Sequence, residues 1–183
     1  MSLGNDTLAL LAVLGVLGLW MLGAHNRVTA LRGAVLAAWG PVEAALLARG
    51  QAIGALVEAA VEPLHGEWAA LDAVVAAQVQ VAERVEALRR RPANRDGVAE
   101  LSKADAVLVA TLPRLMALVE QHHALVALPE VAEAMSALGQ IRPRIAFART
   151  AFNEAGAAYN AAVAQFPTRL LGPVFRFGQA GAL

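Results

Sequence analysis

The sequence predicts an all-α protein, in which an N-terminal transmembrane helix leads into an antiparallel up-and-down four-helix bundle. Three observations predict it. A charge-free apolar run fills positions 7–24. Apolar residues recur at helical spacing through most of the remainder, in a chain with one tyrosine and abundant alanine. Proline and glycine fall where short connections would join long helices, which makes consecutive helices antiparallel. Composition agrees: 58% of the 183 residues are hydrophobic and 16% charged, against about 45–50% and about 25% in an ordinary soluble domain. Such a chain excludes disorder and calls for a membrane segment. Fifteen basic and fifteen acidic side chains leave no global basic field, so no nucleic-acid partner is expected. The absence of cysteine excludes disulfides, thiol catalysis and thiolate metal sites.

The first element is Thr7–Ala24, TLALLAVLGVLGLWMLGA. At 1.5 Å per residue it reaches roughly 27 Å, enough for a hydrocarbon core of about 30 Å. Trp20 stands near one end, where an indole suits the headgroup level. A cleaved signal peptide fits less well. The only charged side chain before the run is Asp6, and Leu22-Gly23-Ala24 has leucine where a cleavage site needs a small residue. Asp6 precedes the run while Arg27 and Arg32 follow it. The positive-inside rule therefore puts the body in the cytoplasm and residues 1–6 outside as a short tail.

The bundle is expected over residues 25–167, with a C-terminal tail at 168–183. Val35, Trp39, Val42, Leu46, Ile53, Leu56 and Ala60 form a first seam. Leu64, Trp68, Leu71, Val75, Ala82 and Val85 form a second, interrupted by Gln78. Leu101, Leu108, Leu112, Leu115, Val119 and Val126 form the third. Leu138, Ile141, Ile145, Ala148, Phe152, Ala155, Tyr159, Ala162 and Phe166 step by three and four to form the fourth. Pro63 and Gly66 divide the first two seams, and Arg91–Gly97 is a turn between the second and third. Pro129 suits the first position of the fourth helix and Pro167 its end. Pro41 and Pro143 fall inside helical patterns and are expected to kink or break them, Gly40-Pro41 separating anchor from bundle.

This topology gives the bundle polar ends. Arg27, Arg32, Arg89, Arg90, Arg91, Arg95, Arg169 and Arg176 gather at the membrane side, and Glu58, Glu62, Glu67, Glu120, Glu130 and Glu133 at the far end. Arg89, Arg90, Arg91 and Arg95 are thus candidates for contact with anionic headgroups, each worth on the order of 1 kcal/mol; a solvated basic loop is the alternative. The apolar segment Leu170–Phe177, with its arginine, is expected to lie in the membrane interface, with capping of the bundle as the alternative.

From Arg144 the chain reads RIAFARTAFNEAGAAYNAAVAQFP. The order Arg144-Ile145-Ala146-Phe147-Ala148-Arg149, Phe152-Asn153, Tyr159-Asn160 and Phe166-Pro167 resembles the signature ending of the LemA family. Asn26-Arg27-Val28, Trp39 with Val42-Glu43, and Ile53 with Leu56-Val57-Glu58 extend the resemblance along the chain. The chain departs from the family pattern at Gln51 and Gly54-Ala55, in an alanine-rich second helix and at Pro143. The resemblance implies a bacterial protein of the inner membrane, with one N-terminal anchor, a helical bundle and no established catalytic residues. Relatives associated with magnetosome membranes point toward membrane organisation.

Within that ending, Arg149, Asn153 and Asn160 make a polar stripe beside the aromatic seam. Buried amides there would bond neighbouring helices and fix their register; a partner-binding stripe is the other reading. Glu62-x-x-His65 and Glu120-x-x-His123 match the spacing of di-iron bundles. Each pair points to a helix flank, and Pro63 disturbs the first, so no metal or other cofactor is expected. His122 continues the third seam and reads as a packing residue. Ser102 and Ser136 lack an arranged base, and no glycine-rich phosphate loop occurs. The expected role is a membrane-anchored, non-catalytic scaffold or interaction protein, with protein partners or self-association and no small-molecule substrate. A metal-binding bundle, or an accessory subunit of a membrane enzyme, is the alternative.

Overall fold

The structure, a computed structural model, describes residues 3–165 and 178–183. Five helices follow one another: α1 (Leu3–Ala60), α2 (Trp68–Leu88), α3 (Arg95–Gln121), the single turn α4 (His123–Val126) and α5 (Pro129–Ala164). Phe166, Pro167, Arg169, Arg176 and the Leu170–Phe177 segment lie outside the described residues.

Helix α1 is 58 residues of unbroken helix, about 87 Å at 1.5 Å per residue. It contains one stretch long and apolar enough to cross a membrane, and none of that stretch is buried. Its inward-facing seam begins at Val28 and continues through Val35, Trp39, Val42, Leu46, Ile53, Leu56 and Ala60, all buried. The break expected at Gly40-Pro41 does not occur, nor does one at Pro143 in α5. Both prolines are exposed, and each is flanked by buried residues, Trp39 and Val42 around the first and Ile141 and Ile145 around the second. Packing on both sides holds the turn that has lost one N–H donor.

Helix α2 takes a different phase from the one the apolar pattern predicts. Ala70, Leu71, Val74, Ala77, Val81, Val85 and Leu88 are buried, whereas Trp68 and Val75 are 51% and 43% exposed and Ala82 is exposed. Alanine-rich helices carry two apolar stripes of nearly equal weight. The one chosen also turns Gln78 inward, against Gly50 of α1, where a Cβ would collide with the amide. With no Cβ at 50 the amide end of Gln78 fits against α1, its Oε1 buried and without a partner among the described residues.

Pro63 and Gly66 mark the α1–α2 turn, with Leu64 tucked under it at 1% exposure. Asn94, not the expected Gly97, ends the next connection. Its side chain accepts a hydrogen bond from the Gly97 amide (2.7 Å), an N-cap that draws Asp96 and Gly97 into the first turn of α3. The third seam stops sooner than expected. His122 adopts an extended backbone and interrupts the helix, so Leu125, not Val126, reaches the core. His122 is itself exposed, its ring against the Leu118 carbonyl. Pro129 opens α5 at its first position, and the fourth seam is buried as far as Ala162, with Ala155 half-buried.

Helix α1 packs chiefly along α5, and α2 along α3; residues from all four enter one core. Trp39 and Phe152 meet edge to face there, ring centroids 5.9 Å apart. The two pairs are unequal in length. Arg89, just past α2, donates to Glu43 (2.6 Å), which also accepts from the Trp39 indole (3.1 Å). The Arg89–Arg95 turn therefore stands beside Glu43, roughly 28 Å along α1 from Ala24 at 1.5 Å per residue. Residues 178–183 lie against α5, facing the first turn of α3.

Candidate functional site

The most polar part of the interior lies between α3 and α5. On α1, seam residues Leu46 and Ile53 bracket Arg49; on α3, Leu101 and Leu108 bracket Asp105. Both residues are buried, at 6% and 4% exposure. The Asp105 carboxylate accepts from Arg49 through Oδ1 and from Arg149 Nη1 through Oδ2 (3.0 Å), so one acid ties α1, α3 and α5 together. Arg149 keeps a third of its side chain in solvent. The Arg49 Nε hydrogen has no partner among the described residues.

These charges form the floor of a groove of about 620 Å³. Val109, Leu112, Pro113 and Met116 of α3 wall one side, and Leu138, Ile145 and Ala146 of α5 the other. Arg49, Arg142 and Arg149 face it together with the carboxylate of Asp105, and the basic side chains outnumber the acidic one. Apolar walls above a cationic floor are suited to binding.

At one end the groove is closed by Leu183, the end of an extended segment laid along α5. Asn153 donates to the Leu183 carbonyl and accepts from the Leu183 amide, both at 2.8 Å. Asn160 does the same to Ala180, at 3.0 and 2.8 Å. Each carboxamide thus satisfies both backbone groups of one residue, which also fixes which way the amide is turned. Gly156, between the two asparagines, makes a flat floor; a Cβ there would stand 3.4 Å from the Gly181 carbonyl. On the opposite side the segment touches α3, where Arg95 donates to the Gln179 side chain (3.0 Å). A Cβ at Gly181 would meet Val98 Cβ at 2.6 Å and the Arg95 carbonyl at 3.0 Å.

The residues singled out from the sequence therefore separate. Arg149 does link helices, through Asp105. Asn153 and Asn160 do not bond neighbouring helices as the register reading expects; they hold a non-helical segment. Both are half-buried, so an amide there can reach chain lying outside the helix pairs. The basic turn does not reach the end of the apolar run, because α2 and α3 are shorter than the helices beside them. Arg89 is bound to Glu43 and Glu86, which together push its pKa up, and Arg95 is engaged with Gln179. Arg90 and Arg91 are exposed at the same level. At the far end, Glu67 pairs loosely with Arg114 (3.6 Å), while Glu62, His65, Glu120 and His123 are exposed. Among the described residues no three acidic or histidine side chains come together as a metal site would require.

Arg49 and Asp105 are absent from the sequence reading, which takes residues 178–183 only as part of a C-terminal tail and not as a segment packed on α5. A signal for the charges is present: seams one and three each skip a full heptad, and opposite charges stand in the gaps. No comparable signal marks the segment, because two amide-to-backbone pairs leave no side-chain pattern in the strand they hold.

In comparison with known proteins, a model described as LemA family matches residues 38–183. That span takes in the groove, the charge cluster and the extended segment. No curated protein matches the chain.

Proposed function

The chain belongs to the LemA family, and from this we propose that it is a single-span membrane protein whose helical body binds other proteins without catalysing a reaction. The observation that carries the reading is the division of α1. Residues from Leu8 to Leu22 are bare apolar surface, while the same helix from Val28 onward is built into the core. A soluble protein does not leave so large a contiguous apolar surface in water, and a continuous helix passes directly from bilayer to body. The proposed location is the bacterial inner membrane, with the body on the cytoplasmic side, supported by Arg27 and Arg32 at that end of the apolar run. The α3–α5 groove is the proposed interaction surface, supported by its apolar walls and cationic floor.

Carbonate extraction of membranes tests the anchor. The native chain should stay in the pellet. Leu11→Arg with Leu14→Arg, each costing roughly 2.5–3.5 kcal/mol at the centre of a spanning helix, should release it. Thermal unfolding of the body should not change, since neither side chain touches the core. Retention of the double variant in the pellet would overturn the reading.

A further inference from the structure

We propose that the face formed by Asn153, Gly156 and Asn160 of α5, opposite Arg95 and Val98 of α3, is a receptor for an extended peptide of the pattern small residue, glycine, any residue, apolar residue. Residues 180–183, Ala-Gly-Ala-Leu, are its occupant within the same chain.

The spacing carries the first part of the argument. Asn153 and Asn160 are two helical turns apart, about 10.5 Å at 1.5 Å per residue. Positions 180 and 183 are three residues apart, about 10 Å in an extended strand. The two amides therefore fall in register with an extended backbone, and every rung of the ladder is a main-chain group. Recognition of this kind takes its affinity from the backbone and its specificity from side-chain fit.

The fit supplies the pattern. Ala180 is buried, and its Cβ lies 3.8 Å from the position a Cβ on Gly156 would take. Burial at this position favours a small side chain. Gly181 admits no Cβ, because the atoms it would strike are the Cβ of Val98 and a backbone carbonyl, neither of which can swing away. Ala182 is exposed, so that position is unrestricted. Leu183 closes the apolar groove and contributes to its lining. Gln179 adds a side-chain contact to Arg95 at the entry. Apart from these contacts the segment contributes little to the body: Ala180 is its only fully buried apolar side chain. Bound by a few hydrogen bonds to a helix that is complete without it, it can be exchanged for a matching segment from a partner.

This rests on the reading of the helical body as a membrane-anchored binding module; carbonate partition tests the anchor in membranes and peptide binding tests the receptor in detergent, so either can fail alone. The experiment follows the fluorescence anisotropy of a labelled, end-blocked peptide of residues 178–183 with three full-length chains. Gly181→Val removes the internal occupant by collision, and should bind the peptide at least tenfold more tightly than the native chain. Adding Asn153→Ala and Asn160→Ala to it should return binding to the native level or below. A peptide carrying valine at its own glycine should bind none of them. Hydrogen exchange at the Ala180 and Leu183 amides reports release directly, and should speed up in Gly181→Val and in Asn153→Ala/Asn160→Ala alike. Equal affinity for all three chains, indifference to the peptide's glycine, or retained protection at both amides would overturn the proposal. So would unfolding of the body in both variants, since the receptor must stand without its occupant.

Discussion

Arg149 and Asn153 are one turn apart on α5, yet they belong to opposite kinds of polar site. Arg149 joins a buried cluster whose three members come from three helices, with Asp105 at 4% exposure. Asn153 begins a ladder whose partners are the backbone of one short segment. In the first, every group depends on the fold and the fold on every group. In the second, the receptor is complete before the ligand arrives. The contrast separates polar residues that specify how helices assemble from polar residues that recognise a chain. The two should respond differently to mutation.

The largest effect is expected at the cluster. Asp105→Ala leaves Arg49 buried with no counter-charge and should cost about 3–5 kcal/mol in denaturant unfolding, the range for breaking a buried pair by removing one partner. Replacing both ends at once, Arg49→Met with Asp105→Leu, should fall within about 1–2 kcal/mol of the native chain or exceed its stability, because desolvation of two charges is removed together with their attraction. Arg149, already partly solvated, can turn outward in that variant. A double variant as unstable as Asp105→Ala would mean that the cluster does more than fix register.

A smaller effect is expected at the ladder. Asn153→Ala with Asn160→Ala removes four hydrogen bonds, but their backbone partners can return to water once the segment lifts, so no buried group is orphaned. The loss of global stability should be no more than about 1–2 kcal/mol, while exchange at Ala180 and Leu183 rises well beyond that of the core helices. A fall as large as that of Asp105→Ala would erase the distinction between the two sites.

The sequence shows this contrast unevenly. The long apolar N-terminal helix, the first and fourth seams and the Pro129 start are legible because long apolar patterns permit one solution. Helix α2 is not, since alanine gives two stripes similar weight and the choice between them is made by tertiary packing. Pro41 and Pro143 read as breaks because the local rule is sound, and tertiary packing of their neighbours overrides it. Asn153 and Asn160 are visible as a stripe, but periodicity marks a face without saying what covers it. Only the fold shows that α3 and α5 stand apart there and that residues 178–183 fill the space between them.

The finest test lies on the other face of α5, next to the lower rung. Tyr159 is buried at 4% exposure while its neighbour Asn160 faces the segment. Burial raises the Tyr159 pKa above its ordinary value near 10, and the nearby positive charge of Arg32 opposes the rise without cancelling it. The folded state therefore holds the phenolic proton more tightly than the unfolded chain does. The corresponding stability is complete below the unfolded pKa of about 10 and is lost as pH rises from there through the higher folded value. Tyr159→Phe should consequently show a shallower fall in melting temperature between about pH 9 and 11 than the native chain. Asn160→Ala should leave that slope unchanged if the α1-facing and segment-facing sides of α5 act separately. A slope altered by Asn160→Ala would show that lifting the segment admits solvent to Tyr159, and would tie the ladder to the core after all.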